Sequence, residues 1–141
     1  MSDLKEGMLD VEQLRGWINR KTSVQEVVTA DLVRRFQATL DRPSPALETG
    51  VSVPRLLHFC LAQTPAPTSQ LDVDGHPARG NFLPPVPLPR RMWAAGEIDF
   101  PGEIGIGDVV RRVSRITDVA VKHGRIGSLC FVTIEHGLHV D

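Results

Sequence analysis

The chain has 141 residues, enough for one domain with one hydrophobic core. Hydrophobic residues make up 41% of it, as in ordinary globular proteins. A net charge of -1 gives no attraction for a polyanion or an anionic membrane surface, so neither nucleic acid nor membrane is expected as a partner.

The opening Met1-Ser2-Asp3-Leu4-Lys5-Glu6 lacks the basic end and apolar run of a secretory signal. No apolar stretch reaches the roughly 20 residues that span a bilayer. Cys60 and Cys130 stand far apart and read as buried thiols in a reducing compartment, so the chain is expected in the cytoplasm.

Asp10 with Gln13 three residues on forms a capping box. Val11, Leu14, Trp17 and Ile18 then share one face of a first helix, which Gly16 weakens. Residues 1–21 are therefore expected as a helical N-terminal extension. Residues 22–28 read as a short strand. Thr29 caps a second helix, Ala30 to Leu40, with Leu32, Val33, Phe36 and Leu40 as its buried stripe, and Arg42-Pro43-Ser44-Pro45 ends it. Residues 51–62 are apolar around Pro54 and fit strand-then-helix or helix alone. Residues 63–90 hold seven of the eleven prolines. Each proline removes a backbone donor, so this segment is a long irregular loop of the kind that often serves binding.

Met92 to Phe100 reads as a strand and Pro101 to Asp108 as a bend. Val109 to Val121 reads as a long strand, Lys122-His123-Gly124-Arg125 as a turn, and Gly127 to His136 as a strand. In the last, Cys130, Val132 and Ile134 point one way, and Leu129, Phe131 and Thr133 the other. Both faces are apolar, so cover is expected on both. The last two strands should pair as an antiparallel hairpin. Helices first and long strands last make an α+β domain.

Three stretches carry a resemblance: Gly80-Asn81-Phe82-Leu83-Pro84-Pro85-Val86-Pro87-Leu88-Pro89-Arg90-Arg91-Met92-Trp93-Ala94-Ala95-Gly96, then Ile104-Gly105-Ile106-Gly107-Asp108, then Lys122 to Val132. In this order and spacing, residues 22–141 resemble the N-terminal half of the MaoC-like dehydratases related to the mesaconyl-C4-CoA and itaconyl-CoA hydratases and the mitochondrial 3-hydroxyacyl-thioester dehydratases. The Pro-Pro-x-Pro-Leu-Pro-Arg-Arg-Met-Trp run is the most specific of the three signals. The resemblance implies a hot-dog fold, a curved antiparallel sheet wrapped around a central helix. A family member continues past the equivalent of Asp141 with a further strand, so this stretch is expected to lack its last strand. It implies a double hot dog, whose C-terminal half carries a catalytic Asp and His in an Asp-x-x-x-x-His arrangement. The N-terminal half has lost them and helps to form the acyl tunnel.

Adding water across an enoyl thioester takes a base to deprotonate the water, an acid to protonate the α-carbon, and donors for the thioester oxygen. A carboxylate and an imidazole reaching one water suffice. The chain offers no convincing pair. Asp72, Asp74 and His76 surround Gly75 and Pro77 and read as a solvated turn. Asp118 and His123 have four residues between them but fall at a hairpin end. Glu135 and His136 point to opposite faces of a strand, so with His139 they make no metal site. His58, between Leu57 and Phe59, reads as a partly buried histidine. Arg111, Arg112 and Arg115 read as a solvated or interface face, and Gly105-x-Gly107 as a turn rather than a phosphate cradle.

No residue here is therefore assigned to catalysis or to a metal. Arg90, Arg91 and Trp93 are the candidate substrate-binding residues. The two arginines suit phosphates of CoA or of an acyl-carrier arm, or acidic groups across an interface between the halves. Trp93 suits an acyl-tunnel wall or ordinary packing. The expected function is the supporting half of an acyl-CoA hydratase, with the CoA thioester as substrate and no cofactor. The expected partner is a second hot-dog half or a second copy of the chain. Two alternatives are a stand-alone acyl-CoA-binding or scaffolding module and a thioesterase-like hot dog.

Overall fold

The computed structural model describes residues 9–44, 46–125 and 127–141. Helix α1 spans Val11–Arg15, strand β1 Lys21–Val27, helix α2 Ala30–Thr39, strand β2 Val109–Gly124 and strand β3 Gly127–Val140. Two short 3-10 turns lie between, at Leu57–Cys60 and Thr68–Gln70. The strands form one antiparallel sheet in the order β1-β2-β3. Its register is visible at β1, where Asn19 N–H donates to Ile116 O and Val28 N–H to Asp108 O, so one strand advances as its neighbour retreats. Among the described residues no helix is long and apolar enough to cross a membrane.

The chain divides into two compact units, one of described residues up to 22 with 66–94 and 114–136, the other of residues 23–65, 95–113 and 137–141. The first unit has a core of Leu9, Leu14, Ile116 and Val119. Alternation along β3 turns Cys130, Val132 and Ile134 toward it, as the sequence indicates, and Phe82, Val86 and Leu88 from the proline-rich loop pack against it. Asp10 caps α1 through Gln13 N–H at 2.9 Å. The helix ends after one turn and a half at Gly16, shorter than the stripe of apolar residues suggests. Trp17 and Ile18 still reach the core from the turn that follows.

The second unit has a core of Val28, Val33, Leu57, Leu61, Ile106 and Val110. Thr29 Oγ1 accepts from Leu32 N–H and starts α2 as expected. Leu32, Val33 and Phe36 of the expected α2 stripe face the core, Val33 fully buried and the other two partly; Gln37 is also buried, and Leu40, just past the end of the helix at Thr39, is exposed. Segment 51–62 resolves into a single bridge, Ser52 to Gly105, and the 3-10 turn. The Gly105–Asp108 bend is tight. Asp108 Oδ2 accepts from Gly105 N–H at 2.7 Å, and Gly107 has φ 93° with no room for a Cβ, which would lie 2.9 Å from Thr49 Cγ2.

Four expectations need correction. Met92–Phe100 is not a strand: no neighbouring strand pairs with it, and β-propensity counts only where a partner exists. The expected turn at 122–125 is largely strand, since β2 runs through Gly124 and β3 begins at Gly127; Ile126 lies outside the described residues. Cys60 is exposed rather than buried, although both cysteines are free. The face of β3 that bears Leu129 stays open, with Leu129 48% exposed. Pro45, at the expected end of α2, lies outside the described residues, as do residues 1–8 of the N-terminal extension.

Candidate functional site

The proline-rich loop sits in the first unit, where two arginines hold it in place of a hydrogen-bonded ladder. Arg79 donates to Val86 O at 2.9 Å and Leu88 O at 2.7 Å, and reaches Asp72 Oδ2 at 3.4 Å. Prolines leave carbonyls without a repeating donor row, and a guanidinium supplies several donors from one point. Arg91 grips Asp74 with both edges of its fork, Nε to Oδ2 at 2.7 Å and Nη2 to Oδ1 at 2.8 Å. The paired guanidinium, with a backbone donation from His76, holds the Asp74 carboxyl well below the usual carboxylate range. The same bond raises Arg91. Arg20 also reaches the loop, donating to Asn81 O, and lies 3.5 Å from the centre of the Trp17 ring.

With Arg91 folded back onto Asp74, its neighbours project outward. Arg90 is exposed and makes no ion pair among the described residues. Met92 is 83% exposed and Trp93 79%. The three candidate binding residues therefore separate: Arg91 is occupied by the loop itself, while Arg90 and Trp93 face solvent. Trp93 takes no part in either core. Nothing in the sequence singles out Arg79 as the partner of the loop carbonyls, because that role depends on where Val86 and Leu88 come to rest.

The other polar clusters are engaged in the same way. Asp118 pairs with Arg15 at 3.1 Å, and His123 Nδ1 lies 2.9 Å from Ser128 Oγ. Glu135 pairs with Arg115 at 2.7 Å, and Asp141 with Arg111 at 3.2 Å. His136 Nδ1 lies 2.7 Å from the buried Ser114 Oγ. His58 packs its ring on Phe59 and against Phe100, and burial lowers its pKa. Among the described residues no group of three or more His, Cys, Asp or Glu side chains could hold a metal ion. A shallow depression of about 560 Å³ opens at the start of α2, lined by Glu26, Thr29, Ala30, Asp31, Leu32 and Arg35. Glu26 is partly committed, since its Oε2 accepts from Ala62 N–H at 2.5 Å.

The sequence model of the family described as hydroxyacyl-thioester dehydratase type 2 matches residues 56–141, more than half of the chain. The chain belongs to that family. The match begins just ahead of the first 3-10 turn and takes in the loop, the Gly105–Asp108 bend, β2 and β3. A mesaconyl-C(4)-CoA hydratase of Chloroflexus aurantiacus is 39% identical over 123 residues, 87% of this chain. The chain spans 44% of the length of that relative. Both findings agree with the MaoC-like dehydratase group to which the loop motif points.

Proposed function

We propose that this chain is the N-terminal, supporting half of an acyl-CoA hydratase, with a hot-dog fold completed by further strand and a second half. That second half, joined to this one or separate, supplies the catalytic Asp and His for reversible hydration of an enoyl-CoA thioester. Mesaconyl- or itaconyl-CoA is the favoured substrate, on the strength of the relative's activity. The CoA thioester enters as substrate and no cofactor takes part. Arg90 and Trp93 serve the nucleotide or acyl portion, and Arg91 orders the loop that presents them. The setting is cytoplasmic, and a second copy of the chain is the alternative completing partner.

One observation carries the assignment of a non-catalytic role. The carboxylates singled out from the sequence beside histidines, with Asp141, each pair with an arginine: Asp72 with Arg79, Asp74 with Arg91, Asp118 with Arg15, Glu135 with Arg115 and Asp141 with Arg111. A carboxylate paired with an arginine is a weaker base than a free one, which counts against these groups as the base that deprotonates water. The test mixes the 141-residue chain with crotonyl-, mesaconyl- and itaconyl-CoA and follows the enoyl absorbance. No decay is expected from this chain, and decay is expected once a second half bearing Asp and His is added. Turnover by this chain unaided would overturn the assignment. CoA affinity should fall in Arg90→Ala; an unchanged value removes Arg90 from the ligand site.

A further inference from the structure

The second unit carries an array of rings that its core does not absorb. Arg55 lies over the Phe100 ring, 5.0 Å from its centre. His58 meets Phe100 edge-on at 5.9 Å and stacks on Phe59 at 4.5 Å, with 31° between the planes. Phe59 ends the array and is 54% exposed. Burial lowers the His58 pKa, so near neutral pH its imidazole is an uncharged ring. Arg55 is exposed and makes no ion pair or hydrogen bond among the described residues. The turn beneath is anchored. Leu57 and Leu61 are fully buried, Gln63 Nε2 donates to Phe59 O at 2.6 Å, and Glu26 takes the Ala62 N–H. Leu56 enters the turn at φ 74°, a conformation leucine rarely adopts and which its anchored surroundings enforce.

An exposed aromatic face beside an unpaired cation suits a flat base that carries phosphate. A base stacks on the ring, and a guanidinium matches phosphate oxygens. Stacking takes an open ring face and needs no cavity. A purely apolar partner would cover Arg55 without giving it a counter-ion, whereas a phosphate supplies one. We propose that Phe59 is the platform for the adenine ring of CoA and that Arg55 pairs with a phosphate of the same adenosine end. The inference rests on the acyl-CoA reading above. It moves the nucleotide contacts to Phe59 and Arg55 and leaves Arg90 and Trp93 for the pantetheine and acyl portion. His58 and Phe100 act through the other two, as positioning residues.

The experiment measures binding to the 141-residue chain by calorimetry. The probes are butyryl-CoA, butyryl-pantetheine, which lacks the phosphorylated adenosine end, and ATP as a free adenine nucleotide. Butyryl thioesters carry no double bond to hydrate. Butyryl-CoA is expected to bind at least about tenfold tighter than either of the others, the worth of one stacked base with a charge-assisted pair. Phe59→Leu, apolar but without a π-face, should remove most of the margin over butyryl-pantetheine, and Phe59→Trp should keep it. Arg55→Gln should narrow it. Butyryl-pantetheine should bind all three variants as it binds the parent, and the melting temperature of Phe59→Leu should match the parent's because the ring is half exposed. Equal affinity of the parent chain for both thioesters overturns the proposal and leaves the acyl-thioester reading intact. ATP binding as tight as butyryl-CoA assigns the platform to free nucleotides and overturns it. A margin that survives either Phe59→Leu or Arg55→Gln in full places the adenosine end elsewhere and overturns it too. Failure of both thioesters to bind overturns the acyl-thioester reading and the proposal together.

Discussion

The two units of this chain solve the covering of an apolar core by different means. The second unit does so with shape: α2 and the Leu57–Cys60 turn bring Val33, Leu57 and Leu61 to complete burial with Val110. The first covers much of its core with a loop too rich in proline for a ladder, and holds Val86 and Leu88 down through Arg79. A helix carries its own backbone hydrogen bonds wherever it packs. A proline-rich loop has fewer donors of its own, so arginine side chains add to the few backbone bonds and the apolar packing that order it. The second core should therefore answer to changes of volume, and the loop of the first unit to changes of charge and pH.

The largest effect expected from breaking this contrast is Leu57→Ala, which should cost about 2–5 kcal/mol, read as a fall in the chemical-denaturation midpoint. A loss under about 1 kcal/mol would mean that the site collapses without a cavity. Arg79→Ala should come next at about 1–3 kcal/mol, by removing the donor to Leu88 O and one of the two donors to Val86 O, which keeps the Leu88 N–H. Limited proteolysis should then cut within residues 66–94, whereas Leu57→Ala should not single out that loop. If both variants are cut alike, the two units do not differ in the way described.

The pH dependence sharpens the same point. The carboxyl of Asp74 is depressed by Arg91 and by the His76 N–H, so the Arg91 pair stabilises the loop above the ordinary carboxylate pKa near ~3.9. That contribution is lost as pH falls below that value and through the depressed one. Trp93 sits two residues beyond Arg91, and its fluorescence should change in that acid window. Asp74→Asn should flatten the change, and a persistent transition in that variant would assign it elsewhere. A smaller effect belongs to the helix start: Thr29→Ala removes the cap on Leu32 N–H and should cost about 1 kcal/mol by thermal melting. Smallest is Trp93→Ala, expected within about 0.5 kcal/mol of the parent because the ring is exposed.

Much of the framework was legible in the residues. The caps at Asp10 and Thr29, the bend at Gly105–Asp108, the hairpin of β2 with β3 and the inward row Cys130, Val132, Ile134 all follow from local pattern. The family was legible too, through the run from Pro84 to Trp93. Met92–Phe100 was misread as strand because composition does not reveal whether a partner strand lies alongside. Arg90 and Arg91 look equivalent on paper, yet only Arg91 finds Asp74, seventeen positions away.

Periodicity, capping residues and proline content act over a few positions, and so the sequence by itself determined the elements and their faces. Which arginines are neutralised and which is left without a counter-ion was decided only in three dimensions. Arg111, Arg112 and Arg115 differ little as letters, but the alternation of β2 sends Arg111 to Asp141 and Arg115 to Glu135, and leaves the Nε of Arg112 buried with no hydrogen-bond partner among the described residues. Ion pairing depends on distances set by the whole fold, and no local pattern encodes them.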